Sequence, residues 1–232
     1  REAGVDSDFI DTPRHWFESK AAPEQVERPI DVEPAPAARA APQAAPLGGA
    51  RASWPQTLAE FAPWWRENGE LDTGGSGPRV PPRGVAEPEL MLLVPTPEQG
   101  DDERLLAGAQ GRLVASMLAA IGVAEETSYL ASALPRHVHH PDWGALATRE
   151  WGEVVNHHVR LVRPKRLLVL GRAMLPLFGH DPAQAGAQLR KIAIQGCEAP
   201  ALVGYGPDTL LHTPRFRAAL WKGWLDWTGG DQ

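Results

Sequence analysis

Short apolar runs and segments of helical periodicity alternate along residues 89–228. Each apolar run has the length of a buried strand, and each periodic segment has that of an amphipathic helix. The predicted strands lie at 90–95, 127–134, 166–171 and 199–205. The predicted helices lie at 105–121, 142–162 and 214–227, with a short one ending at residue 178. Because strands that alternate with helices form a parallel sheet covered on both faces, we predict an α/β fold, a three-layer α/β/α domain with a central four-stranded parallel sheet.

The first 88 residues lack this alternation. Residues 21–50 hold ten alanines and six prolines and few large apolar side chains. Such a segment cannot bury enough surface to offset the entropy lost on ordering, which predicts a disordered linker in an N-terminal arm. Glycine and proline are also dense at 72–84, which predicts a flexible joint. We therefore expect an aromatic peptide at 1–20, a linker at 21–50, an amphipathic helix at 51–70, a joint at 71–88 and a folded domain at 89–228.

Two groups of aromatic side chains flank the linker. The second group lies on the predicted helix, where Ser53 is a candidate N-cap and large apolar side chains recur on one face. That face can pack on the chain's own domain or dock on a partner protein, and the pattern allows both. For the first group we favour docking, because about thirty residues of linker separate it from any core. The candidate docking residues are Phe9, Ile10, Trp16, Phe17, Trp54, Leu58, Phe61, Trp64 and Trp65.

The composition limits the classes of function. The net charge is −6, and an acidic chain is a poor non-specific binder of nucleic acid. No apolar run reaches the about 18 residues that a membrane span needs, so no membrane partner is expected. The single cysteine, Cys197, excludes an internal disulfide framework and cannot supply the about four thiolates that hold an iron–sulfur cluster. We expect a cytoplasmic protein without a cofactor.

The end of the last predicted strand carries a motif. The run Tyr205-Gly206-Pro207-Asp208-Thr209-Leu210-Leu211 is followed by Pro214 and Trp221. This order resembles the Tyr-His-Pro-x-x-Leu-Leu…Pro…Trp signature of the uracil-DNA glycosylase superfamily, above all its bacterial iron–sulfur branch. Two other stretches, Gly108-Ala109-Gln110-Gly111 and Pro164-Lys165…Leu170-Gly171, are also similar to motifs of that family. The resemblance covers about residues 90–227 and implies the glycosylase fold.

The resemblance also implies a set of reactive groups, and this chain departs from most of them. Uracil excision uses a carboxylate or amide that positions water, a donor that stabilises the departing base and an amide that recognises the flipped base. Gly206 stands where the family has its active-site histidine, Pro95 where the iron–sulfur branch has a glutamate, and Ser132 where the amide is. We therefore expect no catalysis. In the alternative, a divergent but active glycosylase, Glu98, Ser132 and Tyr205 would line an altered pocket.

A second resemblance indicates a non-catalytic role. Residues 213–221, Thr-Pro-Arg-Phe-Arg-Ala-Ala-Leu-Trp, look like a pattern in the last helix of the bacterial DNA polymerase III psi subunit. Psi is a protein of glycosylase fold without a glycosylase site; it bridges the clamp loader to the chi subunit and docks through a short Trp-bearing segment. The resemblance implies a non-catalytic adapter in DNA replication or repair. Its partners would be clamp-loader or polymerase components, bound through the N-terminal arm.

A third possibility is a DNA-binding module that has lost catalysis. Its candidate contacts are Arg136 and His137 after the second predicted strand and Arg172 after the third. His137, His139 and His140 lie close together, which raises the question of a metal site. Because His137 and His139 would point apart along a continued strand, no metal site is predicted.

Overall fold

The apolar runs form one mixed sheet in the computed structural model of the chain. Its strands are β1 (Arg83–Gly84), β2 (Leu90–Val94), β3 (Ser128–Ser132), β4 (Leu167–Leu170), β5 (Arg190–Ile194) and β6 (Cys197–Gly204). They form a six-stranded sheet with the order β1-β3-β2-β4-β6-β5. Neighbours among β3, β2, β4 and β6 run parallel, whereas β1 and β5 join the two edges antiparallel. The predicted α/β class is confirmed, and the sheet is wider than predicted by these two edge strands.

The structure describes residues 46–181, 183, 190–194 and 197–229, all within the compact unit Ala44–Gln232. The predicted docking residues Phe9, Ile10, Trp16 and Phe17 and most of the predicted linker lie outside the described residues. The end of that linker lies inside them. Leu47 is buried, and its N–H donates to the carbonyl of Arg149 over 3.0 Å. Residues 46–50 therefore belong to the folded unit and not to the linker.

The described residues form six α-helices, α1 (Leu58–Glu67), α2 (Ala109–Ala120), α3 (Trp143–Thr148), α4 (Trp151–Val162), α5 (Pro207–His212) and α6 (Pro214–Thr228). A 3₁₀ helix, Arg172–Phe178, follows β4. The single helix predicted at 142–162 is two helices, because Glu150 adopts a left-handed conformation (φ 58°) between α3 and α4. Helix α5 was not predicted, since its six residues carry too little periodicity. A bilayer-spanning helix, which needs about 20 apolar residues, is not found in the described part of the chain.

Apolar clusters lie on both faces of the sheet, and helices cover each of them. Along β2, Leu90, Leu92 and Val94 belong to the cluster that includes residues of α2 and α6. Met91 and Leu93 belong to the cluster that includes residues of α1, α3 and α4. This division follows from the period of two along a strand. Because both faces are covered, all five β2 residues are buried, which explains why the strand is apolar throughout.

Helix α1 packs into the core of this unit. It begins one turn later than predicted, with Thr57 as N-cap in a capping box with Glu60. Phe61 and Trp65 are fully buried, and the indole N–H of Trp65 donates to the carbonyl of Val80 over 3.0 Å. Between the two interpretations of this aromatic face, the structure selects packing on the chain's own domain.

The other predicted docking residues in and near α1 also pack against the core. Trp54 is buried, and its indole N–H donates to the carbonyl of Gly48 over 2.7 Å. Leu58 and Trp64 are half-buried and pack against the same cluster as Phe61. A docking role is contradicted for Trp54, Phe61 and Trp65, because their surface is already buried in the core, whereas Leu58 and Trp64 keep part of theirs exposed.

Residues 71–88, predicted as a flexible joint, are part of the fold. Leu71 and Val80 are fully buried, and β1 pairs with β3. Two glycines of this segment, Gly75 and Gly84, serve close packing: a Cβ on Gly75 would lie 2.4 Å from the carbonyl oxygen of His137. The sequence alone suggested flexibility because glycine is common to mobile joints and to tightly packed turns. The folded unit thus begins before α1 and not at residue 89.

A buried polar pair connects the sheet to α4. The hydroxyl of Tyr129 on β3 and Nε2 of His158 on α4 share a hydrogen bond of 2.9 Å. The imidazole also stacks on Phe61 of α1, with ring centroids 3.9 Å apart. Burial lowers the pKa of His158 to about 3, with a smaller contribution from the neighbouring His157. His158 is therefore a neutral core residue that joins three elements, and it is not a candidate acid or base near neutral pH.

This burial predicts a specific pH dependence of stability. In the unfolded chain His158 takes up a proton near its ordinary pKa of 6.5, whereas in the folded chain it stays neutral until about pH 3. The free energy of unfolding should therefore fall as the pH drops from about 6.5 towards 3, by up to about 1.4 kcal/mol per pH unit from this residue. Urea unfolding of His158→Gln across this range should show a shallower slope than the wild-type chain. An equal slope in the two proteins would contradict the buried neutral histidine.

Candidate functional site

The carboxyl ends of the four parallel strands lie side by side at one edge of the sheet. The register aligns Val94 of β2 with Ser132 of β3, and Leu170 of β4 with Gly204 of β6. Loops that follow such strand ends are where ligands bind in parallel α/β proteins. All the predicted catalytic and DNA-binding residues lie at or just beyond this edge. We call it the strand-end edge.

Glu98, the acid predicted nearest to a catalytic position, caps helix α2. Its carboxylate accepts hydrogen bonds from the backbone N–H groups of Gly108, Gln110 and Gly111, over 3.1, 3.1 and 2.9 Å. These donors belong to the first turn of the helix, where the N–H groups have no partner within the helix and the macrodipole favours a negative charge. Both carboxylate oxygens are engaged, so Glu98 has a structural role in this arrangement.

Asp101 completes this loop and was missed from the sequence. It is only 4% exposed, and its carboxylate accepts from the N–H groups of Glu98, Leu106 and Ala107 over 2.9, 2.7 and 2.9 Å. Because Asp101 holds the backbone of Glu98 and Glu98 holds the start of α2, the two acids close residues 98–111 into one bonded unit. No signal in the sequence separates Asp101 from Asp102 and Glu103, the exposed acids that follow it in the same loop.

Ser132, at the position of the base-recognising amide, bonds to its own turn. Its side chain is 3% exposed, and its hydroxyl donates to the carbonyl of Leu134 over 2.7 Å. This bond satisfies the hydroxyl hydrogen at the point where the chain leaves β3. A serine in this state closes a turn, and it lacks the paired donor and acceptor with which an amide recognises a base edge.

Tyr205 and Arg172 form a pair between the ends of β6 and β4. The guanidinium of Arg172 donates to the Tyr205 hydroxyl over 3.1 Å and lies 5.1 Å from the centre of its ring. The other side of the contact is Phe216 of α6, which stacks on Tyr205 with ring centroids 3.9 Å apart. Tyr205 therefore anchors α6 to the sheet, and Arg172, predicted as a DNA contact, already has a partner within the chain.

Gly206 differs from the other glycine of this edge. Gly171 has a φ of 154°, and a Cβ there would lie 2.6 Å from Cγ of Pro95, so the fold requires glycine at that position. Gly206 has φ −64° and ψ 154°, which any residue adopts. A Cβ on it would meet only the carbonyl oxygen of Leu170, at 4.0 Å. The backbone at Gly206 thus has room for a Cβ, so the fold does not require glycine at this position.

Arg136 and His137, the other predicted DNA contacts, fasten the turn after β3 to its neighbours. Arg136 donates to the carbonyl of Gly77, and Nδ1 of His137 lies 2.8 Å from the carbonyl oxygen of Pro97. The structure places both residues with Arg172 at the strand-end edge, and each makes a contact within the chain. Among the described residues, no group of three histidine, cysteine or acidic side chains is arranged to hold a metal ion.

The chain is an α/β protein. The polar side chains named above, at the strand-end edge, form hydrogen bonds within the chain, most of them with backbone groups. Comparisons with known proteins add no family assignment, because no protein-family model and no curated protein matches the chain. The function has to be inferred from the contacts described above.

Proposed function

We propose that the chain is a non-catalytic adapter in DNA replication or repair, built on a scaffold of the uracil-DNA glycosylase type and acting in the cytoplasm. The observation that carries this proposal is the state of Glu98, the acid nearest to a catalytic position. Its two oxygens accept three backbone N–H groups at the start of α2. A group held in this way fixes a helix, whereas glycoside cleavage requires a carboxylate free to position water.

The order of the elements supports the scaffold. The motif that resembles the glycosylase signature begins at the end of β6, continues through α5 and enters α6 at Pro214, the first residue of that helix. Leu210 within it is fully buried, which explains the apolar position of the signature by packing. The four parallel strands β3, β2, β4 and β6 bring the loops that follow them to one edge of the sheet, as in the glycosylase scaffold that we propose. These features support an analogy of fold only. The proposed adapter role is argued from the side chains at the strand-end edge.

The reactive groups support loss of catalysis. Gly206 offers no donor to a departing base, although the fold does not require glycine there. The hydroxyl of Ser132 is bonded to its own turn. An active divergent glycosylase would have to detach Glu98 from α2 and leave three N–H groups without this acceptor. The group on the buried Gly111 would cost about 1–3 kcal/mol, and those on the half-buried Gly108 and Gln110 would cost less. This energetic argument favours the adapter over the enzyme.

The structure changes which segment of the arm the adapter would use. The aromatic side chains Phe61 and Trp65 of α1 are buried in the core, so they do not offer a surface to a partner. The peptide at residues 1–20, with Phe9, Ile10, Trp16 and Phe17, becomes the single docking segment of the proposal. A tethered aromatic peptide of this kind suits an adapter, because aromatic anchors carry much of the binding energy of small interfaces.

Co-purification of the full chain from its native cells tests the adapter role. We expect clamp-loader, polymerase or other DNA repair proteins in the purified complex. The triple variant Phe9→Ala, Trp16→Ala and Phe17→Ala should reduce their recovery about tenfold or more, since it removes the aromatic anchors. The matched control is Arg14→Ala with Glu18→Ala, which alters polar neighbours in the same peptide and should leave recovery unchanged. Recovery without replication or repair proteins, or equal recovery with both variants, would count against the proposal.

A further inference from the structure

An apolar groove lies between α2 and α6, on the face of the sheet opposite to α1. It encloses about 360 Å³, and its floor includes Leu92 of β2 and Leu168 of β4. Its walls include Leu113, Met117 and Ile121 from the α2 side and Leu220, Trp221 and Trp224 from α6. Helix α2 packs against α5, and α5 packs against α6. The sheet is thus covered at one end of this face, and a depression remains between the two longer helices.

Large apolar side chains are exposed beside this groove. Trp221 is 42% exposed and Leu225 is 49% exposed, and both lie on α6. Only one other large apolar side chain in the described part of the chain is exposed, Val85 at 44%. The α2 wall offers small exposed residues, Ser116 and Ala120, which allow another backbone to approach closely. An apolar depression that continues into exposed tryptophan and leucine is typical of a protein-binding surface.

The two helices that form the groove are basic, in contrast to the rest of the chain. The whole chain has a net charge of −6. Helices α2 and α6 together carry four basic residues and one acidic residue, Arg112, Arg215, Arg217, Lys222 and Asp226. Arg217 lines the groove itself, where its guanidinium also donates to the carbonyls of Leu210 and Leu211 over 2.6 and 3.0 Å. This charge selects an acidic partner and disfavours a basic one.

We propose that the groove between α2 and α6 binds an amphipathic helix of a partner protein, with an apolar stripe flanked by acidic residues. Such a helix inserts side chains spaced at i, i+3 or i+4, and i+7 into an apolar groove. A small apolar ligand fits less well, because the described lining has few polar groups to orient it and because Trp221 and Leu225 extend the surface. The inference rests on the proposed adapter function, to which it adds a second, folded binding surface.

Selection from a displayed library of 16-residue helical peptides tests this surface on the full chain. The stripe positions vary among Leu, Ile, Met and Phe, and the flanking positions vary between Glu and Lys. We expect enriched peptides with an excess of Glu over Lys. Their affinity should fall about tenfold or more with Ala120→Glu, which places a charge in the groove, and stay unchanged with Ala119→Glu. Ala119 is the matched control, since it is also exposed on α2 and does not line the groove.

Each outcome decides the proposal. Absence of enrichment, an equal share of Glu and Lys, or equal loss with the two alanine variants would overturn it. Sedimentation of the chain alone is measured in parallel. Self-association that Ala120→Glu abolishes and Ala119→Glu preserves would make the groove an interface between copies and would also overturn it. Failure of the adapter function can be distinguished from failure of this proposal. If the groove binds acidic helices but no replication or repair protein co-purifies with the chain, the adapter function is wrong and the groove is still a binding surface.

Discussion

We expect a fragment of residues 89–232 not to fold, and a fragment of residues 44–232, which is the whole compact unit, to fold and unfold cooperatively. The shorter fragment has the boundary that the sequence suggested, but it lacks α1 and the segment that follows. Four fully buried side chains are lost with them, namely Phe61, Trp65, Leu71 and Val80. Removing one large apolar side chain from a core costs about 2–5 kcal/mol, and a whole domain is stable by about 5–15 kcal/mol. The combined loss is about as large as the whole stability of a domain, so we expect the shorter fragment to be unfolded.

The same core can be tested at one residue. Trp65→Ala removes a fully buried indole that bonds to the carbonyl of Val80 and stacks near Phe61, with ring centroids 5.4 Å apart. We expect the free energy of unfolding to fall by about 3–5 kcal/mol. The neighbouring Arg66→Ala alters an exposed residue of the same helix and should change it by less than about 0.5 kcal/mol. Urea unfolding followed by circular dichroism measures both. A folded 89–232 fragment, or equal stability of the two variants, would show that α1 lies outside the core.

We expect Asp101→Ala to destabilise the protein by about 2–4 kcal/mol, because one of the N–H groups that it leaves without an acceptor is buried and two are partly buried. The substitution leaves the N–H groups of Glu98, Leu106 and Ala107 without their acceptor, and the first of these belongs to the residue that caps α2. Each buried group left without a partner costs about 1–3 kcal/mol. The loss of the Asp101 bonds also releases the Glu98 backbone, so the cap on α2 weakens with it.

Asp102→Ala is the matched control for Asp101→Ala. It removes the same side chain one residue along the same loop, where the residue is exposed. We expect a change within about 0.5 kcal/mol. Denaturant unfolding of the two variants side by side separates burial and hydrogen bonding from the general effect of removing a negative charge. Equal midpoints would show that the loop does not depend on the Asp101 carboxylate.

The sequence predicted the middle of the sheet and missed its edges. Strands β2, β3, β4 and β6 are apolar because helices cover both faces, and this pattern is visible without a structure. Strand β1 has only two residues, and its partner β3 is distant in the chain, so no local pattern marks it. The aromatic face of α1 has the same periodicity whether it packs on its own domain or on another protein. The structure decides between them through contacts such as the bond from Trp65 to Val80.

The sequence indicated where the candidate site residues lie in the fold, but not which hydrogen bonds their side chains make. Residues at the ends of parallel strands meet at one edge, and by this topological rule Glu98, Ser132 and Tyr205 were expected at the edge where the structure places them. What each side chain does there depends on distances of a few ångströms. An acid after a strand can position water or cap the next helix, and only the three N–H groups around Glu98 distinguish the two roles. Asp101 was missed for the same reason, since a polar loop residue gives no sign of its burial.

Uracil excision tests the central claim most directly, namely that this edge keeps a base-excision geometry without its chemistry. The full chain is incubated in excess over single- and double-stranded oligonucleotides that contain one uracil, and abasic sites are measured by alkaline cleavage. We predict product no greater than that without protein. The variant Gly206→Ala should fold with unchanged stability, because its Cβ would meet only the carbonyl oxygen of Leu170, at 4.0 Å. Abasic sites formed by the wild-type chain, and lost in Ser132→Ala or Tyr205→Ala, would contradict the account.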